Sequence, residues 1–470
     1  MPLPVISTAQ MRAWEKATWA TGQTAAAVIQ SVGRQLAGRI LALTPPGAGL
    51  LLLAGKGNNG EDVRAAVPHL TERQVVLIDV QNPAASRSAV AAALTYHPAL
   101  IVDGLFGIGL NRPLEADWQE LIGLVNASGR PVLAVDVPSG LQGDTGEPAG
   151  AAIRADWTLT IGAPKAGLLQ PASWEWAGRV EVVTGVGLIP CPSAAELNWS
   201  LPEDFIALPP RRPVAGHKGS FGHVAIVAGS LGYHGAAVLA ARGALRAQPG
   251  LISVFTQENI YLPVAAQLQG PMVQPWLTGN DDLPGDFDAL LAGPGLAAQD
   301  LPASIFHQIC QWWQQAPMPM VGDASVLTQL PSGAIPAESI RVITPHPGEA
   351  ARLLGSTPAA VQRDRTGAVR ALSQRLGGCW VVLKGHHTLI GRTTGAIFVN
   401  PSGNPHLAQG GAGDLLAGYL AGLLAQPAWR EDVATTLRYA VWQHGAAADR
   451  LQARDRHWTV EDLADELGNA

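Results

Sequence analysis

The sequence predicts two α/β units in one chain, each a mainly parallel sheet with helices on both faces. Three observations predict it. Short β-type apolar runs alternate with helical patterns through both halves at roughly βαβ spacing. A Pro-rich segment without apolar periodicity, CPSAAELNWSLPEDFIALPPRRP (191–213), interrupts that alternation. The chain has 470 residues, 47% hydrophobic and 14% charged, with 53 glycines and 36 prolines. That is too long for one ordinary core and suits loop-rich α/β architecture. The expected domains are 1–205 and 206–470.

In the first half, Ser7 and Gln10 stand in capping-box register and open an N-terminal helical arm. Strands are expected at 50–54 (LLLLA), 74–80 (QVVLIDV), 99–103 (ALIVD), 132–136 (VLAVD), 157–161 (WTLTI) and 179–183 (RVEVV). In the second half they are expected at 223–229 (HVAIVAG), 251–255 (LISVF), 288–293 (DALLAG), 320–324 (MVGDA), 341–344 (RVIT) and 380–385 (WVVLKG). In such sheets ligands bind at the carboxyl ends of strands, and the unusual residues fall there.

Composition narrows the class of protein. The formal net charge of −6 offers no basic footprint for nucleic acid or an anionic membrane. Cys191, Cys310 and Cys379 are far apart and odd in number, which indicates no disulfide framework and fits a reducing compartment. The start, MPLPVISTAQMRAWEK, lacks the pattern of a signal peptide, and arginines such as Arg242 and Arg246 interrupt the apolar stretches. A cytoplasmic enzyme with no membrane association is expected.

The most informative stretch is PSGNPHLAQGGAGDLLAG (401–418). Gly410, Gly411, Ala412 and Gly413 lead into Asp414 and an apolar helix. A helix start presents free amides and the positive end of its dipole to an anion, and small residues let a phosphate approach. Asp414 beside that pocket can take a proton from a hydroxyl, although an acid in a first helical turn is also an ordinary cap. Four further clusters precede it: HKGSFGHVAIVAGSLGYHGAA (217–237), LLAGPGLA (290–297), ITPHPGEAARLL (343–354) and VVLKGHHTLI (381–390). Gly-Pro-Gly alone is usually a turn. His386 and His387 are adjacent, and adjacent side chains on a strand point to opposite faces, so they lack metal-ligand spacing.

This series, with TPHPGE and GGxGD in order, resembles the NAD(P)HX dehydratase family of ribokinase-like fold over nearly all of 206–470. The resemblance implies removal of water from hydrated NADH or NADPH with ADP or ATP as co-substrate and Mg²⁺. It places Lys384, Gly385, His386, His387, Thr388 and Gly413 at the adenine nucleotide. It places Ala236, Gly295, His346 and Asp414 at the hydrate, with Asp414 catalytic. The family's DAD reads Asp323-Ala324-Ser325 here, its GPGLG ends in Ala297, and its AGAGL reads AQPGL (247–251).

In the first half, GKGNNG (55–60) follows a strand and Asp79 ends the next one, the spacing of a dinucleotide fingerprint. An NAD-dependent oxidoreductase is therefore one reading. Asn59, Asp103 and Ser139 offer oxygens at three strand ends, suited to a hard cation, though such residues also cap turns. The motifs NNGxD, VDGLFGIGLNRP (102–113), VDVPSG (135–140) and ADWTLTIGAPKAGLL (155–169) resemble the NAD(P)HX epimerase domain, a Rossmann-like three-layer sandwich. The resemblance covers about residues 5–190 and implies interconversion of the R and S hydrates at C6. It places K⁺ at Asn59, Asp103 and Ser139. It places the hydrate at Asn58, Asn59, Gly60, Glu61 and Asp62, at Gly107, Ile108, Gly109, Leu110, Asn111 and Arg112, and at Asp136, the acid/base residue. Two glycines of the family's NNGGDG are Glu61 and Val63 here, and its MENAG reads IQSVG (29–33). Glycine at those places would tolerate tight turns and close ligand approach, so an inactive first domain acting as a binding module is the rival expectation. For the second half the rival is a small-molecule kinase. A homo-oligomer is expected.

Overall fold

Apolar runs too short for helices and bounded by turn residues form strands. The computed structural model describes all residues except 111, 277–285, 298, 300, 456 and 470. The chain divides into Leu3–Glu196 and Leu197–Ala470, the latter with Met1–Pro2. No helix among the described residues is long and apolar enough to cross a membrane.

The first unit holds β1 (Gly49–Ala54), β2 (Gln74–Asp79), β3 (Leu100–Gly104), β4 (Val132–Val135), β5 (Trp157–Ile161) and β6 (Arg179–Val183). Their order is β2-β1-β3-β4-β5-β6, with every neighbouring pair parallel. Alternation along β1 and β3 sends side chains to opposite faces. Leu50, Leu52, Leu100 and Val102 join one core with helix Ala25–Leu43, while Leu51, Leu53 and Ile101 join another with helix Ala116–Ala127. Three layers result. The arm is helix Thr8–Trp19, and both bonds of its capping box form: the Ser7 hydroxyl accepts from the Gln10 N–H and the Gln10 amide oxygen accepts from the Ser7 N–H. The chain winds from β1 to β2 and then crosses back to β3, so a crevice opens between the ends of β1 and β3.

The second unit holds β7 (Leu197–Trp199), β8 (His223–Val227), β9 (Leu251–Thr256), β10 (Met272–Pro275), β11 (Ala289–Ala292), β12 (Met320–Gly322), β13 (Arg341–Ile343), β14 (Trp380–Leu383), β15 (Leu389–Gly391) and β16 (Ile397–Val399). Their order is β7-β16-β15-β14-β13-β12-β11-β8-β9-β10. All neighbours are parallel except β14–β15 and β15–β16, which are antiparallel. Strands β7, β10, β15 and β16 carry three or four residues each and were not expected, because they lie at the sheet edge or in a hairpin, outside the strand–helix spacing that marks the others. β7 pairs with β16 inside the Pro-rich segment, which is why the units divide at Glu196/Leu197.

Several strands stop one or two residues before their expected ends. The backbone turns there into the left-handed region at Asp136, Gly229, Gly293, Ala324 and Gly385. Chemistry-bearing residues thus sit in the first residues past the strands. The helix Ala412–Leu424 that carries Asp414 packs backbone to backbone on helix His234–Ala247. A Cβ at Gly418 would lie 1.9 Å from the Ala240 carbonyl oxygen, and one at Gly243 would lie 2.0 Å from that of Leu415. Glycine alone permits this approach, and it fixes where the helix start points.

Candidate active sites

In the second unit the switch from β10 back to β11 opens a crevice between β8 and β11. Gly295 and Ala236 meet there: a Cβ at Gly295 would lie 2.7 Å from the Ala236 Cβ. The Ser230 hydroxyl donates to the Gly295 carbonyl at 2.6 Å and holds the Gly-Pro-Gly turn. Asp323, just past β12, is buried and accepts from Thr344 Oγ1 at 2.5 Å and Lys384 Nζ at 3.0 Å. Lys384 reaches the helix start, since a Cβ at Gly413 would lie 3.1 Å from its Nζ. Gly411, at φ +94, is the N-cap that turns the chain into this helix.

Burial, the carboxylate of Asp323 and that of Glu349 push the Asp414 carboxyl up to about 7, against the pull of Lys384. Burial alone would lower the Lys384 ammonium, but Asp323, Glu349 and Asp414 outweigh it and hold its pKa above the ordinary value. The pocket is therefore three carboxylates around one ammonium, beside a helix start with free amides. A carboxyl titrating near neutrality is suited to accept a hydroxyl proton, and the lysine and amides to hold phosphoryl charge.

His346 is exposed at the start of helix Pro347–Leu354, where its Nδ1 accepts from the Gly348 N–H. The turn after β14 places Gly385 and His386 at the surface, with His387 and Thr388 partly covered. Arg365 holds this turn through the Leu383 carbonyl at 3.0 Å and the His387 carbonyl at 3.4 Å. The His387 ring stacks on His386 with centroids 3.9 Å apart and meets the edge of Trp199. Burial first, then His386 and Arg365, keep His387 well below the ordinary histidine pKa, hence neutral. An exposed, neutral, ring-bearing turn next to Lys384 offers a flat surface to a base.

In the first unit, the β1–β3 crevice gathers Asn59, Asp103 and Ser139 around the peptide groups of Phe106. The Asn59 amide donates to the Phe106 carbonyl at 2.9 Å, and the Phe106 N–H donates to Ser139 Oγ at 2.8 Å. Ser139 in turn donates to Asp103 through its hydroxyl at 2.6 Å and its N–H at 2.8 Å. Asn59 Oδ1 is buried without a hydrogen-bond partner. Burial raises the Asp103 carboxyl to about 6 against these bonds. A buried carboxylate beside an orphaned amide oxygen is a donor set a hard cation satisfies.

Asp136 and the turn beginning at Gly107 close on the same place. A Cβ at Gly107 would lie 3.2 Å from Asp136 Oδ2 and 3.4 Å from Asn59 Oδ1. Ile108 and Leu110 are half-buried, Gly109 and Arg112 are exposed, and Asn111 lies outside the described residues. Arg12, from the N-terminal helix, donates to the Ile108 carbonyl at 2.9 Å. Asp62 is buried, and burial together with Asp136, Glu15 and Glu61 raises it to about 8.

The altered glycines occupy ordinary helical positions. Residues 58–66 form a helix starting after Gly57, so Glu61 lies in a first turn, where an acid is favoured by the dipole. Glu61 is exposed and pairs with Arg64 at 2.9 Å, and Val63 is fully buried in the core beside β1 and β3. Neither position requires glycine. Gly55 and Gly60 do, because Cβ atoms there would lie 2.0 Å from the Leu105 oxygen and 2.1 Å from the Gly55 oxygen. The glycine pattern thus serves backbone packing, and Asp79, which a dinucleotide fingerprint turns to a ribose, is bound to Arg64 at 2.7 Å. Glu61→Gly is expected to leave the R-hydrate conversion that the resemblance implies within about twofold and to cost about 1 kcal/mol of stability through lost helix propensity. Parallel turnover and thermal-melting measurements check it, and a large gain in rate would mean Glu61 does face the substrate.

Glu349, Glu15 and Lys165 joined these sites only in three dimensions. Glu349 reads from sequence as the second half of a capping box, and it is one, accepting from the His346 N–H at 2.8 Å. Its second role depends on the fold bringing Lys384 and Asp414 beside it. Lys165 stands in a motif read from the sequence, but only packing shows its ammonium against Asp136 at 2.5 Å.

Residues 224–469 match the NAD(P)H-hydrate dehydratase family, and residues 76–167 match the family described as YjeF-related protein N-terminus. The bifunctional NAD(P)H-hydrate repair enzyme of Gloeobacter violaceus is 36% identical over 96% of this chain and 94% of its own. That of Escherichia coli is 35% identical over 86% of this chain and 81% of its own. A solved structure of a ribokinase-like superfamily protein from Enterococcus faecalis is 27% identical, covers 59% of this chain and 96% of its own, and superposes with a TM-score of 0.51. Both units are thus accounted for along almost the whole length, and the chain belongs to the family of bifunctional NAD(P)H-hydrate repair enzymes.

Proposed function

We propose that the chain restores hydrated NADH and NADPH in two reactions, epimerisation at C6 in the first unit and nucleotide-dependent dehydration in the second. The observation that carries the dehydration reading is the grouping of Asp414, Asp323 and Lys384 at the Gly411–Gly413 helix start. Hydroxide is a poor leaving group and phosphate a good one. Asp414 takes the proton of the C6 hydroxyl as its oxygen attacks the terminal phosphorus of ADP, and AMP leaves. The C6–O bond then breaks with its electron pair on phosphate, and loss of a proton from the neighbouring ring carbon completes the double bond of NADH. Lys384 and the Gly413 amide hold the moving phosphoryl charge, while Gly385, His386, His387 and Thr388 receive the adenine nucleotide. Ala236, Gly295 and His346 line the hydrate's side.

Among the described residues no group of three or more His, Cys, Asp or Glu side chains forms a metal site by itself. Mg²⁺ would then come in on the nucleotide's phosphates, with Asp323 and Glu349 the carboxylates that could hold it. Mg²⁺ would supply positive charge to the phosphoryl group. In the first unit Asn59, Asp103 and Ser139 would hold K⁺, which would supply fixed charge beside the hydrate. Asp136 takes the proton of the C6 hydroxyl as the C6–N1 bond breaks to an aldehyde and N1 gains a proton; reclosure of N1 on the other face of the carbonyl returns the proton to oxygen and gives the other epimer. Asn58, Asn59, Gly60 and Asp62 of the helix start and residues 107–112 of the turn enclose the hydrate.

Purified protein given mixed R and S NADHX with ADP is expected to regenerate NADH absorbance and to release one AMP and one phosphate per NADH. Replacing K⁺ by a quaternary ammonium ion should slow R-NADHX consumption and leave S-NADHX dehydration unchanged. A stable phosphorylated product would instead favour a small-molecule kinase, and equal R-NADHX rates in both salts would remove K⁺ from the site.

A further inference from the structure

We infer that Lys165 is a positioning residue of the epimerase site, turning the Asp136 carboxylate so that Oδ2 alone meets the substrate. The inference rests on Asp136 being the acid/base group. The two oxygens of that carboxylate have opposite surroundings. Oδ1 accepts from Lys165 Nζ at 2.5 Å, from the Ile161 N–H at 3.3 Å and from Thr160 Oγ1 at 3.4 Å. Its capacity is filled by protein donors. Oδ2 faces Gly107, where a Cβ would be 3.2 Å away, and Gly107 begins the turn next to Asn59 and the crevice. A side chain at 107 would occupy the space in front of Oδ2, and glycine leaves it to a ligand.

Lys165 cannot itself reach a substrate. It is 1% exposed, and its three N–H bonds are used on Asp136, on the Ile161 carbonyl at 2.7 Å and on Thr160 Oγ1 at 3.1 Å. Its whole donor capacity is spent on the geometry of Asp136 and the strand end beneath it. The backbone is committed to the same aim. Asp136 sits at φ +66, a conformation that strains a non-glycine residue, pinned by its N–H to the Leu159 carbonyl at 2.8 Å.

Charge makes the lysine necessary as well as convenient. Asp62 from helix Asn58–Ala66 and Glu15 from helix Thr8–Trp19 both face Asp136, and Arg12 stands beside Glu15. Lys165 interacts favourably with both of those carboxylates as well as with Asp136. Without its ammonium, three carboxylates would share one buried space, and Asp136 would rotate away from its neighbours.

The test uses the full chain with R-NADHX and compares Lys165→Met, Lys165→Arg, Thr160→Val and Asp136→Asn. Lys165→Met is expected to lower kcat for R-NADHX about 10²-fold while KM changes little, since a group that never touches substrate acts on the aimed base and not on binding. Lys165→Arg should recover part of kcat, and Thr160→Val should lose about tenfold in kcat at constant KM. A wild-type kcat in Lys165→Met overturns the inference, and so does a loss confined to KM, which would put Lys165 on the substrate. If Lys165→Met fails to fold, as read by circular dichroism, Thr160→Val decides: an unchanged kcat overturns the inference. Full activity in Asp136→Asn would sink the assignment of Asp136 itself, a distinct outcome.

Discussion

Asp414→Asn is expected to lower dehydration of S-NADHX by on the order of 10²-fold or more while the second unit stays folded. Asparagine keeps the shape and removes only the proton-accepting charge. The pH dependence gives a second reading of the same group. Burial and the nearby Asp323 and Glu349 carboxylates bring Asp414 to about 7, so it is largely protonated at pH 6 and ionised at pH 8. Turnover should therefore rise through about pH 7. Asp323→Asn removes a neighbouring negative charge and frees Lys384 toward Asp414, and both changes lower the Asp414 pKa. The acid limb should move to lower pH in that variant. An acid limb that stays in place would separate Asp414 from the proton transfer.

Stability supplies the control, with the opposite sign from activity. The folded carboxyl titrates at about 7 and the unfolded one at its ordinary value of 3.8. Between those values the folded state holds the extra proton, so this group's contribution to stability falls as pH rises from about 4 to 7. Asp414→Asn removes that liability. Its thermal midpoint at pH 8 should equal or exceed that of the parent, which separates lost chemistry from lost structure.

Asp136→Asn is expected to remove enzymatic conversion of R-NADHX by about 10²-fold or more and to leave S-NADHX dehydration at the parent rate. The two reactions are read from one mixture by following NADH recovery, which becomes biphasic. The S half is consumed at the normal rate, and the R half waits for spontaneous exchange. A monophasic recovery at the parent rate would mean that the first unit handles the proton elsewhere, with buried Asp62 the next group to replace. Slow R consumption already in the unaltered chain would make the first unit a binding module.

The sequence alone determined the architecture of both sheets and the ends at which chemistry gathers. Alternating apolar runs such as Leu50–Ala54 and His223–Val227 are local patterns, and the parallel order follows from their spacing along the chain. Motifs with fixed internal spacing, such as GGAGD and the glycines of GKGNNG, were legible because a turn's geometry is set by the residues within it. Short edge and hairpin strands were not, because nothing within a weak run of three or four residues names its partner, and Leu197–Trp199 pairs with Ile397–Val399, far along the chain. Tertiary structure likewise decided the meaning of the glycine replacements. Glu61 and Val63 looked like intrusions into a tight loop, but helix Asn58–Ala66 turns one to solvent beside Arg64 and the other into the core. It also decided the electrostatics of both sites. Asp414 lies far along the chain from Asp323 and Glu349, as Lys165 does from Asp62 and Glu15, and Coulomb's law depends on distance in space and on burial. Neither quantity is written in a local stretch of residues.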